Sequence, residues 1–243
     1  MPIGVILNSL SVVVGSFIGV LIGGKLTNNF KDNLNLVLGI CSICMGCSTV
    51  VLMENMPVVV FTIILGTALG LWIRLGERIH SGAIIMQKGV SKVVKSDSSN
   101  MSEEDFTAAL VTVIVLFCSS GTGIYGAIIS GMMGDHSILI AKSILDLFTS
   151  MIFACSLGIV VALIAIPQFI IFLALFFCAG LIYPLCSSTM INDFKACGGF
   201  IMLATGFRML KLKMFPTADM TVAMIFVMPV SWFWVSYILP LIS

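Results

Sequence analysis

Apolar runs of about twenty residues follow one another along almost the whole chain, and this feature restricts the fold more than any other. A backbone surrounded by hydrocarbon must satisfy its own N–H and C=O groups, so runs of that length become transmembrane helices. Eight spans are expected, at about 4–24, 33–53, 57–74, 106–132, 138–165, 168–187, 194–211 and 218–240. Charged residues make up 9% of the chain, against about a quarter in soluble domains. The expected fold is therefore all-α, a polytopic transmembrane helical bundle forming a single membrane domain over 1–243. A net charge of +1 gives no electrostatic basis for nucleic-acid binding. The opening MPIGVILNSL has no basic segment ahead of its apolar core, so it is expected to be retained as the first helix rather than cleaved.

Basic residues set the orientation by the positive-inside rule. With the N-terminus outside, the cytoplasmic connections hold Lys25 and Lys31, then Arg74, Arg78, Lys88, Lys92 and Lys95, then Arg208, Lys211 and Lys213. Both termini are thus expected on the outer side of the membrane. Cys41, Cys44, Cys47, Cys118, Cys155, Cys178 and Cys197 fall within apolar runs and read as small packing residues. Cys41, Cys44 and Cys47 have the spacing of an iron–sulfur motif but no fourth ligand nearby. No metal or cofactor is expected.

In the first span Gly15, Gly19 and Gly23 recur every four residues and predict a groove for another helix. Asn8, Ser9 and Ser11 near its start serve either interhelical packing or a ligand. Gly39 and Gly46 in the second span, and Gly199 and Gly206 in the seventh, share a seven-residue spacing. Phe30-Lys31 and Phe194-Lys195 precede these helices, and Pro57 and Pro216 follow them. This pattern suggests an inverted repeat, spans 1–3 against spans 6–8, offset by about 160 residues. Chance similarity between two glycine-containing helices accounts for it equally well. Between spans three and four, 76–105 reads as a cytoplasmic amphipathic segment and polar linker. Ile79, Ala83, Met86, Val90 and Val93 form a lipid-facing stripe, with Arg78, Lys88, Lys92 and Lys95 outside it. Ser96–Asn100 then breaks the chain, and Ser102 opens a capping box for the next span. Asn192-Asp193 is expected to cap the seventh span, and Trp232 and Trp234 to anchor the last one at an interface.

The stretch from Phe117 to Ser150, FCSSGTGIYGAIISGMMGDHSILIAKSILDLFTS, concentrates glycines and a charge pair. A break is expected near Gly121 to Gly123. Beyond the polar corner Gly134-Asp135-His136, Lys142 and Asp146 stand four residues apart on one helix face. With that corner at the interface, Lys142 lies roughly 9 Å down and Asp146 roughly 15 Å, near the midplane. An acid at that depth is a functional candidate. The candidate site comprises Asp146, Lys142 and Ser143 on this helix, Ser120, Gly121, Thr122 and Gly123 at the break, and Asn8. The alternative is a structural ion pair that fixes helix register. His80 and His136 are too separated for a shared metal and read as solvated interfacial residues.

The segments GAIISGMMGDHSILIAKSILD (Gly126 to Asp146) and CGGFIMLATGFRML resemble the bacterial membrane proteins of the family called domain of unknown function 554, the YqgA/YdfK-like proteins. The likeness spans nearly the whole chain. In the family pattern an aspartate precedes the glycine matching Gly131; Ser130 stands there here, so no carboxylate role carries over to that position. The resemblance implies a bacterial cytoplasmic-membrane protein and no mechanism. The residues themselves point to a transporter or channel for a small solute or ion, coupled to protons through Asp146, in a homodimer. The alternative is an oligomeric membrane scaffold or membrane-stress protein. An enzyme is not expected: neither His-Glu-x-x-His nor Gly-x-Ser-x-Gly is present.

Overall fold

The computed structural model describes residues 1–22, 25–93 and 103–242. Gly23, the Ser96–Asn100 break and Ser102 lie outside the described residues, as do the side chains of Val90, Lys92, Val93 and Lys95. The described residues form thirteen α-helices, two short irregular turns of helix and no strand: α1 (Ile3–Ile22), α2 (Asn28–Val50), α3 (Met56–Trp72), α4 (Leu75–Val93), α5 (Glu103–Cys118), α6 (Gly121–Met133), α7 (Ser137–Leu157), α8 (Val160–Leu163), α9 (Ala165–Ile182), α10 (Ser188–Met209), α11 (Thr217–Met220), α12 (Val222–Phe233) and α13 (Leu239–Ile242). Among the described residues six helices or helix runs are long and apolar enough to cross a membrane, and a seventh arises if α3 and α4 count as one broken span. The polar first half of α10, with Asn192, Asp193 and Lys195, keeps it outside that set.

Two expected boundaries shift. The long fifth run divides at Gly158, which ends α7 with φ 76°, a left-handed backbone that glycine adopts without Cβ strain. The following span then begins at Val160 rather than 168, with Pro167 in the first turn of α9, where its missing N–H costs nothing. The seventh helix starts at Ser188 and is capped by Ser187, whose hydroxyl accepts from the Met190 N–H at 3.3 Å. Asp193 therefore does not cap α10.

The chain divides into two compact units, Met1–Asn35 with Arg78–Gly180, and Leu36–Glu77 with Leu181–Ser243. In the first unit α1 lies along α7 in parallel. Gly4 faces Leu139, Gly15 faces Leu147 and Ser150, and Gly19 faces Met151 and Ala154. This is the groove expected of glycines at four-residue spacing. Leu110, Ile114 and Phe117 of α5 bury themselves against Leu157 of α7 and Val161 of α8. Ala83 of α4 joins this cluster, with Ile84 and Met86 packed against it, and Gln87 is buried. The apolar stripe of α4 is thus covered in part by protein instead of facing lipid, a correction with a simple cause. The α5–α8 core needs a cover as much as the stripe does.

In the second unit α2 and α10 cross antiparallel through two glycine pairs. A Cβ on Gly46 would stand 2.8 Å from the Gly199 carbonyl oxygen, and one on Gly206 2.7 Å from that of Gly39. Between the pairs the Ser42 hydroxyl donates to the Met202 carbonyl at 3.0 Å. Gly66 and Gly70 of α3 bring its backbone against Ala223 and Asp219. Cys41, Cys44 and Cys47 lie exposed on α2, away from the glycine face, so they are not packing residues as expected; Cys178 is exposed too, while Cys118 and Cys197 are buried.

The second unit uses its acids at helix ends. Asp193 is 0% exposed, and its Oδ1 accepts from the backbone N–H groups of Glu54 and Asn55 at 3.1 and 2.9 Å. Its Oδ2 accepts from Asn55 Nδ2 at 3.0 Å and the Ser231 hydroxyl at 2.6 Å. Since α3 begins at Met56, with no cap from Asn55's own side chain, this carboxylate sits at the positive end of α3. Asp219 likewise accepts from Gly76 N–H at 2.9 Å in the first turn of α4. Glu54 is held below the ordinary carboxylate range, chiefly by the Asn192 amide and then by Thr189. Asp193→Ala strips the four donors of their acceptor and is expected to cost about 1–3 kcal/mol, read as a lower apparent Tm in detergent. An unchanged Tm would show that water replaces the carboxylate at no cost.

Candidate functional site

The polar centre of the first unit forms where α1, α7 and α9 meet. Lys142 and Asp146, one turn apart on α7, form an ion pair with Nζ and Oδ2 2.5 Å apart. Asp146 is the tenth of α7's twenty-one residues, half-way along the helix. The same Oδ2 accepts from Asn8 Nδ2 of α1 at 2.8 Å and from Gln168 Nε2 of α9 at 3.3 Å. Gln168 Nε2 also donates to Asn8 Oδ1 at 2.7 Å. Three helices thus converge on one carboxylate oxygen. Because an ionised carboxylate only accepts, both amides must turn their nitrogens toward it. That orientation leaves Gln168 Oε1, fully buried, without a partner among the described residues.

The cluster is buried in this conformation: Lys142 is 3% exposed and Asp146 6%. Charges cut off from water require compensation from fixed groups. The Lys142 ammonium has Asp146 on one side and the Phe117 ring 5.8 Å away on another, within range of a cation–π attraction. Phe117 lies in the last turn of α5, whose carbonyl end favours a cation.

The break between α5 and α6 falls at Ser119–Ser120, just before the expected glycines. Ser120 caps α6, accepting from Gly123 N–H at 3.4 Å, and Gly121-Thr122-Gly123 is the helix's first turn. Gly123 is required by close approach: a Cβ there would overlap the Phe172 ring and stand 2.8 Å from Lys142 Cε. The break therefore presses directly on the lysine stem. Among the described residues no hydrogen bond joins Ser120, Thr122 or Ser143 to the pair; Ser143 donates along its own helix to the Leu139 carbonyl. His136 is not merely solvated, since its Nδ1 lies 2.7 Å from the Ser130 hydroxyl.

Gln168 is the member that sequence reading missed. Two signals for it exist: an amide set in an apolar run directly after Pro167, and its place 160 residues after Asn8, the offset that also separates Gly39 from Gly199 and Gly46 from Gly206.

Apolar helices of bilayer length, packed through glycines around a buried carboxylate, define an α-helical integral membrane protein. The chain belongs to the family described as Protein of unknown function (DUF554), which it matches over residues 3–232. It is 40% identical to "Uncharacterized protein YqgA" of Escherichia coli (strain K12), over 98% of this chain and 99% of that one. It is 24% identical to "Uncharacterized membrane protein YdfK" of Bacillus subtilis (strain 168), over 89% and 90%. No solved structure matches.

Proposed function

We propose that this protein moves a small solute or ion across the bacterial cytoplasmic membrane, with Asp146 as the group that changes its charge or its partner during the cycle. The observation that carries this reading is the convergence of α1, α7 and α9 on Asp146 Oδ2, half-way along α7. Hydrocarbon makes such a cluster expensive, and buried ionisable groups in membrane helices ordinarily serve ion or substrate paths. The break at Ser119–Ser120 supports it, because discontinuous helices present free backbone groups to substrates. The paired glycines of α2 and α10 and the 160-residue relation of Asn8 to Gln168 support an inverted repeat, the architecture in which one site is opened alternately to either side. Exposure of the cluster to one side would then require α1 or α9 to part from α7. Both termini outside, proton coupling and a homodimer belong to the same reading.

The enclosure of the pair favours a second reading, in which the cluster only fixes the register of three helices in a membrane scaffold. Reconstituted vesicles loaded with a pH-sensitive dye separate the two. Across a panel of small ions and solutes, the parent protein is expected to show solute-dependent flux, and Asp146→Asn to lose it while staying monodisperse. Undiminished flux in Asp146→Asn removes this residue from the mechanism. In a background without native cysteines, failure of water-soluble reagents to label cysteines placed at 122 and 146 under every solute condition favours the scaffold.

A further inference from the structure

The polar cluster already holds a cation, and that cation is part of the chain. Lys142 Nζ lies 2.5 Å from Asp146 Oδ2 and 5.8 Å from the centre of the Phe117 ring, whose face attracts positive charge. Phe117 belongs to the last turn of α5, where carbonyls outrun the helical N–H groups and the negative end of the helix dipole lies. Asp146 Oδ2 does not depend on the lysine for its position. Asn8 Nδ2 and Gln168 Nε2 donate to it from two other helices, so the oxygen stays in place whether or not the ammonium is on it.

Gln168 supplies the second observation. Its side chain is fully buried, and its Oε1 has no donor among the described residues. Turning the amide over does not remove the defect, because Oε1 would then face Asp146 Oδ2 and Asn8 Oδ1, both acceptors. The oxygen and nitrogen of one amide stand about 2.2 Å apart, which places Oε1 within about 5.5 Å of Asp146 Oδ2. An ion about 2.8 Å from each oxygen, the usual length of a charge-assisted hydrogen bond, spans that gap. A buried acceptor without a donor marks a place where a partner is missing, and this one stands within reach of the oxygen that already binds an ammonium.

We propose that the solute carried by this site is a monovalent cation, for which Lys142 is a tethered stand-in. The incoming ion takes the place of Nζ on Asp146 Oδ2 and gains Gln168 Oε1, while the lysine withdraws toward the carbonyl end of α5. This rests on the transport reading above and adds the class of solute. The carboxylate, the free amide oxygen, the Phe117 face and the α5 carbonyl end all favour positive charge, whereas an anion would have to sit against Asp146. A neutral solute has no use for a charge pair that hydrocarbon makes expensive. A divalent ion brings a charge that one carboxylate does not balance, and the described residues contain no group of three acidic, histidine or cysteine side chains placed to hold a metal. The lysine can withdraw because its four-carbon stem is flexible and Gly123 leaves open the space beside Cε that a Cβ would fill. Alkali-metal ions and ammonium share this chemistry.

The test uses the full chain in vesicles, with tracer uptake of sodium, rubidium, methylammonium, calcium, chloride and glycerol read against protein-free vesicles. Uptake is expected for at least one of the first three, which separates the alkali from the ammonium source, and for none of the last three. Asp146→Asn should abolish it. Lys142→Met should instead improve affinity. The stand-in leaves the site free for only a minor share of the time, about 10% or less, so its removal should lower the half-saturating cation concentration about tenfold or more. A lysine that only fixes helix register predicts no such gain. Lys142→Gln serves if Lys142→Met is not monodisperse. If neither is, the parent in detergent should show a higher apparent Tm in the chloride of the transported cation than in N-methylglucamine chloride at the same ionic strength, and equal values would count against the site. Uptake confined to calcium, chloride or glycerol would overturn the cation assignment and leave the transport reading standing, whereas uptake of nothing in the panel would sink both. Cation uptake whose half-saturation is unchanged or weaker without Lys142 would refute its role as stand-in.

Discussion

Asp146→Leu will unfold this protein far more readily than the double variant Lys142→Met/Asp146→Leu. Removing the acid alone leaves the buried Lys142 ammonium without a counter-charge, beside the neutral amides of Asn8 and Gln168 and the Phe117 ring. Breaking a buried pair in that way costs about 3–5 kcal/mol, whereas replacing both charges by apolar groups of similar size is often near neutral. The single variant should therefore fall by on the order of 10 °C in apparent Tm, and the double variant should recover most of the loss. Full recovery is not expected. The Gln168-to-Asn8 hydrogen bond survives the double change, but Asn8 Nδ2 loses its acceptor, which costs about 1–3 kcal/mol. Equal losses in the single and double variants would mean that the two charges are not coupled, and the picture of a sealed, mutually neutralised pair would fail. The double variant also isolates function from folding. A stable protein without the pair that still moves solute would refute a transport role for Asp146.

Much of this arrangement was legible in the sequence because it rests on local periodicity. Lys142 and Asp146 four residues apart on an apolar run dictate a shared helix face, and Gly15 with Gly19, or Gly39 with Gly46, dictate a flat face for a neighbour. What periodicity cannot supply is the identity of the neighbour. Gln168 reaches Asp146 only because α9 folds back beside α1; its own apolar run shows an amide out of place but not which helix that amide faces. Asp193 looked like a cap for its own helix, since an acid near a helix start ordinarily plays that part. Tertiary packing instead delivers it to the start of α3, across 138 residues of sequence. The division at Gly158 was hidden for a different reason. An apolar run reads as continuous whether or not one glycine within it turns left-handed. The stripe on α4 had the right spacing but two candidate covers, lipid and protein, between which a hydrophobic pattern does not discriminate.

The second large effect is expected at the α1–α7 seam, where Gly15→Ala and Gly19→Ala should each destabilise the first unit more than an equivalent change elsewhere. A methyl on Gly15 would overlap both the Leu147 carbonyl oxygen and the Ser150 hydroxyl, and one on Gly19 the Met151 carbonyl oxygen. Two of these three obstacles are backbone atoms of a packed helix, so relief requires the helices to separate rather than a side chain to rotate. Overpacking of a filled core costs about 1–3 kcal/mol and sometimes more. The cost here comes with a loss of contact along the whole seam that holds Asn8 against Asp146. Gly82→Ala is the internal control. Nothing lies within 4 Å of the position its Cβ would take, it sits in the interior of α4, and alanine is favoured there by about 1 kcal/mol on helix propensity alone. Gly15→Ala and Gly19→Ala should therefore lower the apparent Tm in detergent, while Gly82→Ala leaves it unchanged or raises it. Because the seam also positions the amide of Asn8 on Asp146, a Gly15→Ala protein that survives purification should show reduced flux, as should Asn8→Ala, which removes that amide. If Gly15→Ala proves as stable as the parent, α1 and α7 do not meet backbone to backbone, and the placement of Asn8 on Asp146 goes with it.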